Sequence, residues 1–527
     1  MINELKAMLN KQDNYQTTEN GAVGYKSTGK ALVDLNFRVS SMRKGVTPSD
    51  MELFIDAMNE DLEYAIKWMF FVRDVRGGMG ERNAFQNLYM QFAELYPNEA
   101  KATLKLVAEF GRWKDVIDII DMDPDNNLGG MELVADAFRS DIQNCMAGKS
   151  ISLLAKWMPS INASGKARKQ AKRFAKAFGL TYESYRKMLS KLRSHLDVTE
   201  VKTCANLWGE IDYNKVSSNA NKRYMNAFKK HDGARYVEHC TKALDTLSNP
   251  SVKMHASALF PYEVWDKYVK HLGIPISSFR YNYDDNAGPA DVSMEALWKN
   301  LADMGDCGNT MVVVDGSGSM TCPCGVQSVR PISIARSLGV YFAERCQGEF
   351  NNILMEFSSR PKLIDLNGCN TLRDKIVEMH KYDDCSNTDI EAVFMLILET
   401  AIKSSMKQSD LPDRVLIVSD MEFDMATNHT MVSGFGMKAL FDELDDRYAA
   451  HGYKLPKLVF WRVNGKTTTI PMTENEMGVI MVSGFSPNIL SMVMSGQTDP
   501  WLALKEKLDS DRYDCVSDTL KSVREND

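Results

Sequence analysis

Near residue 305 the apolar pattern of this chain changes period, so one fold cannot serve both parts. From about residue 49, Met51, Phe54, Met58, Leu62, Ala65, Ile66 and Met69 recur at steps of three and four, as one helix face requires. "TPSD" at 47–50 supplies a helix start, and "RGGMG" at 76–80 breaks the pattern. Similar units are expected at 98–110, 112–120, 131–147, 150–158, 164–178, 182–194, 199–208, 219–229, 235–247 and 262–271. Almost nothing between 49 and 300 alternates like a strand. Beyond 305, short continuous apolar runs take over: "TMVVVD" (310–315), "NILMEF" (352–357), "RVLIVSD" (414–420), "KLVFWRV" (457–463) and "GVIMVSG" (478–484). Helices are expected between them, over 331–346, 389–403 and 434–450. Apolar runs alternating with helices indicate a mostly parallel sheet covered on both faces. The expectation is therefore a multidomain chain. Residues 1–25 form an extended lead-in, 26–305 an all-α helical repeat domain, and 306–527 an α/β, doubly wound, Rossmann-like domain.

A chain of 527 residues exceeds what one core usually serves. Its 44% hydrophobic and 25% charged residues are ordinary for a soluble globular protein. No apolar run reaches membrane length, and "MINELKAMLNKQDNYQ" has no signal-peptide core, so a cytoplasmic protein with no membrane partner is expected. The ten cysteines lack framework spacing and read as reduced thiols. Cys322 and Cys324 in "TCPCG" lack a second nearby pair and read as a loop rather than a zinc site. The net charge of −7 hides an uneven distribution: residues 151–230 hold 17 basic against 5 acidic side chains. A local excess of this size is the footprint of a polyanion-binding face.

"MVVVDGSGSM" at 311–320 ends an apolar run in Asp315, Ser317 and Ser319. Alternate residues of an extended segment face the same way, so the three oxygens can converge beyond the strand. Ligands of parallel sheets bind at such carboxyl ends, and hard oxygen donors suit Mg2+ or Mn2+. Asp-x-Ser-x-Ser after a first apolar strand resembles the metal-ion-dependent adhesion site (MIDAS) of von Willebrand factor A domains. That family adds a threonine from a later loop and an aspartate after a central strand, and "SNTDIEAVF" and "LIVSDMEFD" offer Thr388 and Asp420. The resemblance implies that the serines and threonine coordinate the ion directly and that an aspartate acts through water. Many relatives have glycine after that aspartate where this chain has Met421, and Asp424 could compete for the role. Thr388 to Glu391 also reads as a capping box, a purely structural helix start. The "DGSGS" loop lacks the Lys-Ser/Thr ending of a phosphate-binding loop and the Gly-x-Ser-x-Gly of a nucleophile elbow.

Helices followed by an A-type domain resemble the TROVE architecture of the Ro autoantigen, and most of all a poorly characterised TROVE-like branch found in phages, plants and fungi. The segments that carry the likeness are "FFVRDVRGGMGERNAF" (70–85), "FGRWKDVI" (110–117), "SLLAKWMPS" (152–160), "YRKMLSKLR" (185–193), "SDMEFD" (419–424), "VFWRVNG" (459–465) and "VSGFSP" (482–487). The resemblance implies HEAT-like helical repeats that bind RNA on a basic surface, with an A domain that helps close a ring. The basic stretch supplies its own support. Lys166, Lys169, Arg173 and Lys176 share a helix face, flanked by Arg168 and Lys172. Arg186, Lys187, Lys191, Arg193, Lys222 and Arg223 continue the series, as do Lys229 and Lys230. Such a row neutralises phosphates without reading bases. Tyr182, Tyr185, Tyr224 and Phe228 lie among these charges, as stacking platforms or as core aromatics. In "RDVRGGMGER", Arg73, Arg76 and Arg82 read first as parts of a tight turn, with Gly77, Gly78 and Gly80 at positive φ and Asp74 and Glu81 pairing with the arginines.

The leading expectation is a non-catalytic RNA-binding protein of the ribonucleoprotein type, taking structured or single-stranded RNA. Its divalent ion would serve ring closure or an acidic protein ligand. The alternatives are a metal-dependent protein-interaction scaffold without RNA and, further off, a metal-dependent nuclease. Eight histidines and a lone adhesion-type ion offer little to the last.

Overall fold

The computed structural model describes residues 14–17, 23–43, 45–274, 288–323, 329–357, 361–382, 389–421, 437–464, 480–494, 497 and 499–525. The chain divides into two compact units: residues 1–61 with 256–507, and residues 62–255 with 508–527.

The first unit is built on a six-stranded mixed sheet. Its strands are β3 (Thr310–Asp315), β4 (Ile353–Phe357), β5 (Lys362–Asp365), β6 (Arg414–Ser419), β7 (Lys457–Arg462) and β8 (Ile480–Ser483). Their order is β5-β4-β3-β6-β7-β8. All neighbours are parallel except β4 and β5. The short ribbon of β1 (Tyr15–Thr17) and β2 (Val23–Tyr25) precedes it. Every residue of β3 is buried, which explains its unbroken apolar run. Strand β5 escaped the sequence reading because it is a polar edge with only Ile364 buried. Helix Pro331–Ala343 lies on β3 so closely that a Cβ at Gly339 would come within 2.4 Å of Val314 Cγ2.

The expected boundary at 305 follows the change of secondary structure, while compactness groups the residues differently. Helix Ala31–Met42 packs on β8, and its Val33 and Phe37 join Val313, Ile417 and Phe460 in one apolar cluster. Helices Pro261–His271 and Val292–Lys299 also belong to the sheet unit. Periodicity identifies a helix but not the surface that its apolar face covers.

The second unit is all-α. Its helices include Leu62–Arg73, Arg82–Leu95, Trp113–Met122, Gly130–Met146, Gly165–Ala177, Tyr182–His195 and Ser218–Leu244. The last covers the two helices expected at 219–229 and 235–247, and its backbone breaks at Asp232 with φ −145°. The C-terminal helix Asp514–Arg524 packs on Leu62–Arg73 and Pro97–Thr103. A buried latch accompanies it. Arg512 Nη2 donates to Asp74 Oδ1 at 2.6 Å, its Nε donates to Oδ2, and Tyr513 Oη donates to Oδ2 at 3.1 Å. The "RGGMG" segment is a turn, but only Gly80 has positive φ, at 71°. At Gly78 the need is space, because a Cβ there would sit 2.0 Å from Phe71 O. Asp74 pairs with Arg512 rather than with the arginines of the turn.

Burial alone would raise the Asp74 carboxyl pKa, but hydrogen bonds from Arg512 and from the backbone of Arg76 and Gly77 outweigh it and hold the group below its ordinary value. A depressed folded pKa stabilises above the unfolded value of about 3.9 and loses that contribution as pH falls through the folded value. Asp74→Asn should cost roughly 2–3 kcal/mol at neutral pH, the low side for a broken buried pair because Arg512 is partly exposed. Denaturant melts should show this difference constant from about pH 5 to 8 and shrinking below about pH 4.

Candidate functional site

At the sheet's carboxyl edge, Asp315 at the end of β3 is fully buried, and Asp420, just past the end of the adjacent β6, is nearly so. Asp315 Oδ1 accepts the Ser317 amide at 2.8 Å, and its Oδ2 accepts the Ser419 hydroxyl at 2.5 Å. These bonds aim the loop so that Ser317 Oγ and Ser319 Oγ stand 3.0 Å apart. Adjacent oxygens of an octahedral magnesium ion are separated by about 2.9 Å, so the two hydroxyls fit one edge of such a shell. The loop also needs Gly316, since a Cβ there would meet Glu356 Oε1 at 2.7 Å. Thr388, Asp424 and Cys324 lie outside the described residues, and Cys322 is exposed. The helix cap expected from Thr388 is supplied by Asp389, which accepts the Ala392 amide at 3.0 Å. Among the described residues, no cluster of three or more His, Cys, Asp or Glu side chains is arranged to hold a metal. A centre here would depend on hydroxyl donors.

Met421 stands at φ 65°, the left-handed conformation that glycine adopts freely. For methionine this costs about 1–2 kcal/mol. Burial of its side chain in the sheet's apolar cluster offsets that cost, and Ser419 Oγ accepts its amide at 2.9 Å. Met421 thus holds a left-handed backbone directly after Asp420.

In the helical unit the predicted basic residues divide into several groups. On helix Gly165–Ala177, Lys166, Arg168, Lys169 and Lys176 are exposed, while Lys172 and Arg173 are half-buried. Lys166 pairs with Asp121 at 3.1 Å. Arg173 donates to the carbonyls of Ile120 (3.4 Å) and Pro124 (3.2 Å), so its charge caps a neighbouring element. Arg193 is likewise structural: it donates to Ala155 O (2.9 Å), Ser160 Oγ (2.8 Å) and Met158 O (2.6 Å). Lys187 pairs with Glu183 at 2.8 Å, and Lys191 is exposed. Lys222 and Lys229 are half-buried, while Arg223 and Lys230 are exposed. Tyr185 and Phe228 are fully buried core residues. Tyr224 is half-buried, and Tyr182 is exposed beneath Lys172, whose Nζ lies 5.3 Å from the ring.

Residues that the sequence reading left apart come together in a cleft of about 930 Å³ within this unit. Arg82, Arg112, Lys114, Lys156, Trp157, Arg186, Arg193 and Arg223 contribute to its walls, and Glu200 is the one acidic lining residue. Its floor is organised by Asp115, which is fully buried. Asp115 Oδ2 accepts Arg73 Nε (2.9 Å), Arg73 Nη2 (2.5 Å) and the Arg112 amide (3.1 Å), and Oδ1 accepts Arg82 Nε (2.8 Å). The Arg112 guanidinium lies 4.8 Å from the Trp157 ring. Burial, and then repulsion from Arg82, lowers the Arg112 pKa. Four segments on which the Ro-type resemblance rests, at 70–85, 110–117, 152–160 and 185–193, supply most of these cations. Spacing could not find the cleft, because its walls come from segments spread over 82–223.

Two family profiles match the chain, both described as domains of unknown function: DUF2828 over residues 18–132 and 163–308, and DUF7788 over residues 309–522. An uncharacterized protein of Acanthamoeba polyphaga mimivirus is 28% identical over 516 residues, covering 92% of this chain and 85% of the viral protein. Among solved structures, the Ro (RSR) protein of Deinococcus radiodurans aligns at 14% identity with a TM-score of 0.39, over 89% of this chain and 93% of that one. No helix among the described residues is long and apolar enough to cross a membrane.

A Cβ at Gly111 would fall 2.5 Å from Asp115 Oδ2 and 2.8 Å from Arg73 Nε. Gly111→Ala should therefore displace the cleft floor and cost roughly 1–3 kcal/mol in denaturant unfolding. An unchanged midpoint would show that the ion-pair centre tolerates this displacement.

Proposed function

We infer that this chain is a non-catalytic RNA-binding protein of the Ro/TROVE-like type, with a von Willebrand A-like sheet unit that binds a divalent ion. The concentration of cations around one cleft and along helix Gly165–Ala177 carries the RNA reading. Cations that no carboxylate neutralises attract phosphates and release counterions on binding. The Ro-type segments support the same conclusion. The strand-end loop supports the metal reading through Ser317, Ser319 and Asp315, with Asp420 beside them and Thr388 from the family pattern. Magnesium or manganese held mainly by neutral hydroxyls keeps much of its charge, which suits a carboxylate from a protein partner or ring closure by the A-like unit. The activity this reading expects is RNA binding without cleavage, in the cytoplasm.

The exposed triple variant Arg168→Glu/Lys169→Glu/Lys176→Glu avoids Arg173, whose bonds are structural. In gel shifts with structured and single-stranded RNA it should lose at least about tenfold in affinity, and the slope of log K against log salt should fall by about 2–3. Unchanged affinity at moderate salt would remove this face from the RNA interface. Labelled RNA incubated with Mg2+ should stay intact; cleavage abolished by Asp315→Asn would establish the nuclease reading instead. For the ion itself, Mg2+ or Mn2+ should raise the melting temperature of the wild type by mass action and leave Asp315→Asn unaffected. Equal responses would place the ion elsewhere.

A further inference from the structure

The helical cleft holds more positive charge than its own fold requires. Arg82, Arg112 and Lys114 of its lining, with buried Arg73 behind them, face two carboxylates, Asp115 and Asp118. That leaves two positive charges in excess. Glu200 is paired with Lys156 at 3.4 Å and cannot supply the balance. Arg186 and Arg223 line the walls and are exposed, and neither has an ion pair or side-chain hydrogen bond among the described residues. The buried Nε of Arg112 faces Asp115 Oδ1 at 3.6 Å, beyond hydrogen-bond range. Like charges held together are costly, and a bound anion would relieve that cost.

The cleft also has an apolar side. Trp157, Ile161, Leu189 and Val201 line it, and the Arg112 guanidinium lies over the Trp157 ring. Flat aromatic and guanidinium surfaces are what nucleobases stack on. About 930 Å³ is far more than a phosphate group needs and falls in the size range of sites for whole small molecules. The required ligand has an anionic head and a planar, largely apolar body.

We propose that this cleft takes a phosphorylated nucleoside, with the phosphate between Arg112, Arg186 and Arg223 and the base against Trp157. The ligand is a free mononucleotide or the phosphorylated end of a single strand. The strand-end source rests on the RNA-binding reading; the chemistry of the cleft does not. Cations converging from separate helices recognise a terminal dianionic phosphate better than an internal phosphodiester carrying a single charge.

Calorimetric titration of the full chain tests this with four probes: adenosine 5′-monophosphate, a 5′-phosphorylated adenosine trinucleotide, the same trinucleotide with a 5′-hydroxyl, and inorganic phosphate. The monophosphate or the phosphorylated trinucleotide should bind. Loss of the 5′-phosphate should weaken the trinucleotide about tenfold or more. Arg186→Gln/Arg223→Gln, changed at exposed positions so that the fold is kept, should weaken both nucleotides by a similar factor. Trp157→Leu should weaken the nucleotides more than inorganic phosphate. Equal affinity for the two nucleotides points to the free ligand, and tighter binding of the trinucleotide points to a strand end. The proposal is overturned if neither nucleotide binds, if the 5′-hydroxyl trinucleotide binds equally well, if inorganic phosphate matches the mononucleotide, or if the double arginine variant is unchanged. Long RNA that shifts without any nucleotide binding would sink the cleft alone; nucleotide binding without any RNA shift would sink the RNA reading alone.

Discussion

One buried carboxylate holds the helical unit's chemistry in place. Asp115 gathers Arg73, Arg82 and the Arg112 backbone around two oxygens, joining segments that begin at residues 62, 82 and 113. With Asp118, which pairs with Arg82 and Lys114, two carboxylates face the four cations Arg73, Arg82, Arg112 and Lys114. Three of those cations line the cleft, where Arg112 lies over Trp157. A hydrophobic replacement of such a centre can equal it in stability, so stability alone does not account for a buried ion cluster.

The sheet unit uses the opposite device. Its buried carboxylate at Asp315 is satisfied by the Ser317 amide and the Ser419 hydroxyl, and these bonds fix the loop that presents two neutral hydroxyls. In one unit a buried carboxylate orders cationic side chains; in the other it orders neutral hydroxyls. Met421, directly after Asp420, is held in a left-handed conformation that glycine adopts more freely.

Much of the fold was legible. Continuous apolar runs marked β3, β4, β6, β7 and β8 to within a residue or two, because strands buried on both faces leave that signature. Strand β5 left none, since a polar edge has little to bury. Two helices not named from the apolar spacing, Ala31–Met42 and Asp514–Arg524, cover the sheet and join the helical unit respectively. The closeness of the Ser317 and Ser319 hydroxyls in the strand-end loop was readable because the two residues lie two apart. The cleft was not, because spacing along one helix shows which residues share a face but not what that face meets. Arg173 and Arg193 fitted a phosphate row by spacing, yet they bond backbone carbonyls. Arg112, Lys114, Lys156 and Trp157 belonged to no row and were passed over.

Nucleic acid is expected to contact the helical unit at the cleft whose Arg82 and Arg112 are held in place by Asp115. Ultraviolet crosslinking of the full chain to single-stranded RNA, with the attachment points located by mass spectrometry, measures this directly. Crosslinks concentrated on the peptides holding Trp157, Arg186 and Arg223 are the expected result. Crosslinks confined to residues of the sheet unit, or none above the level seen with a polyanion lacking bases, would contradict it.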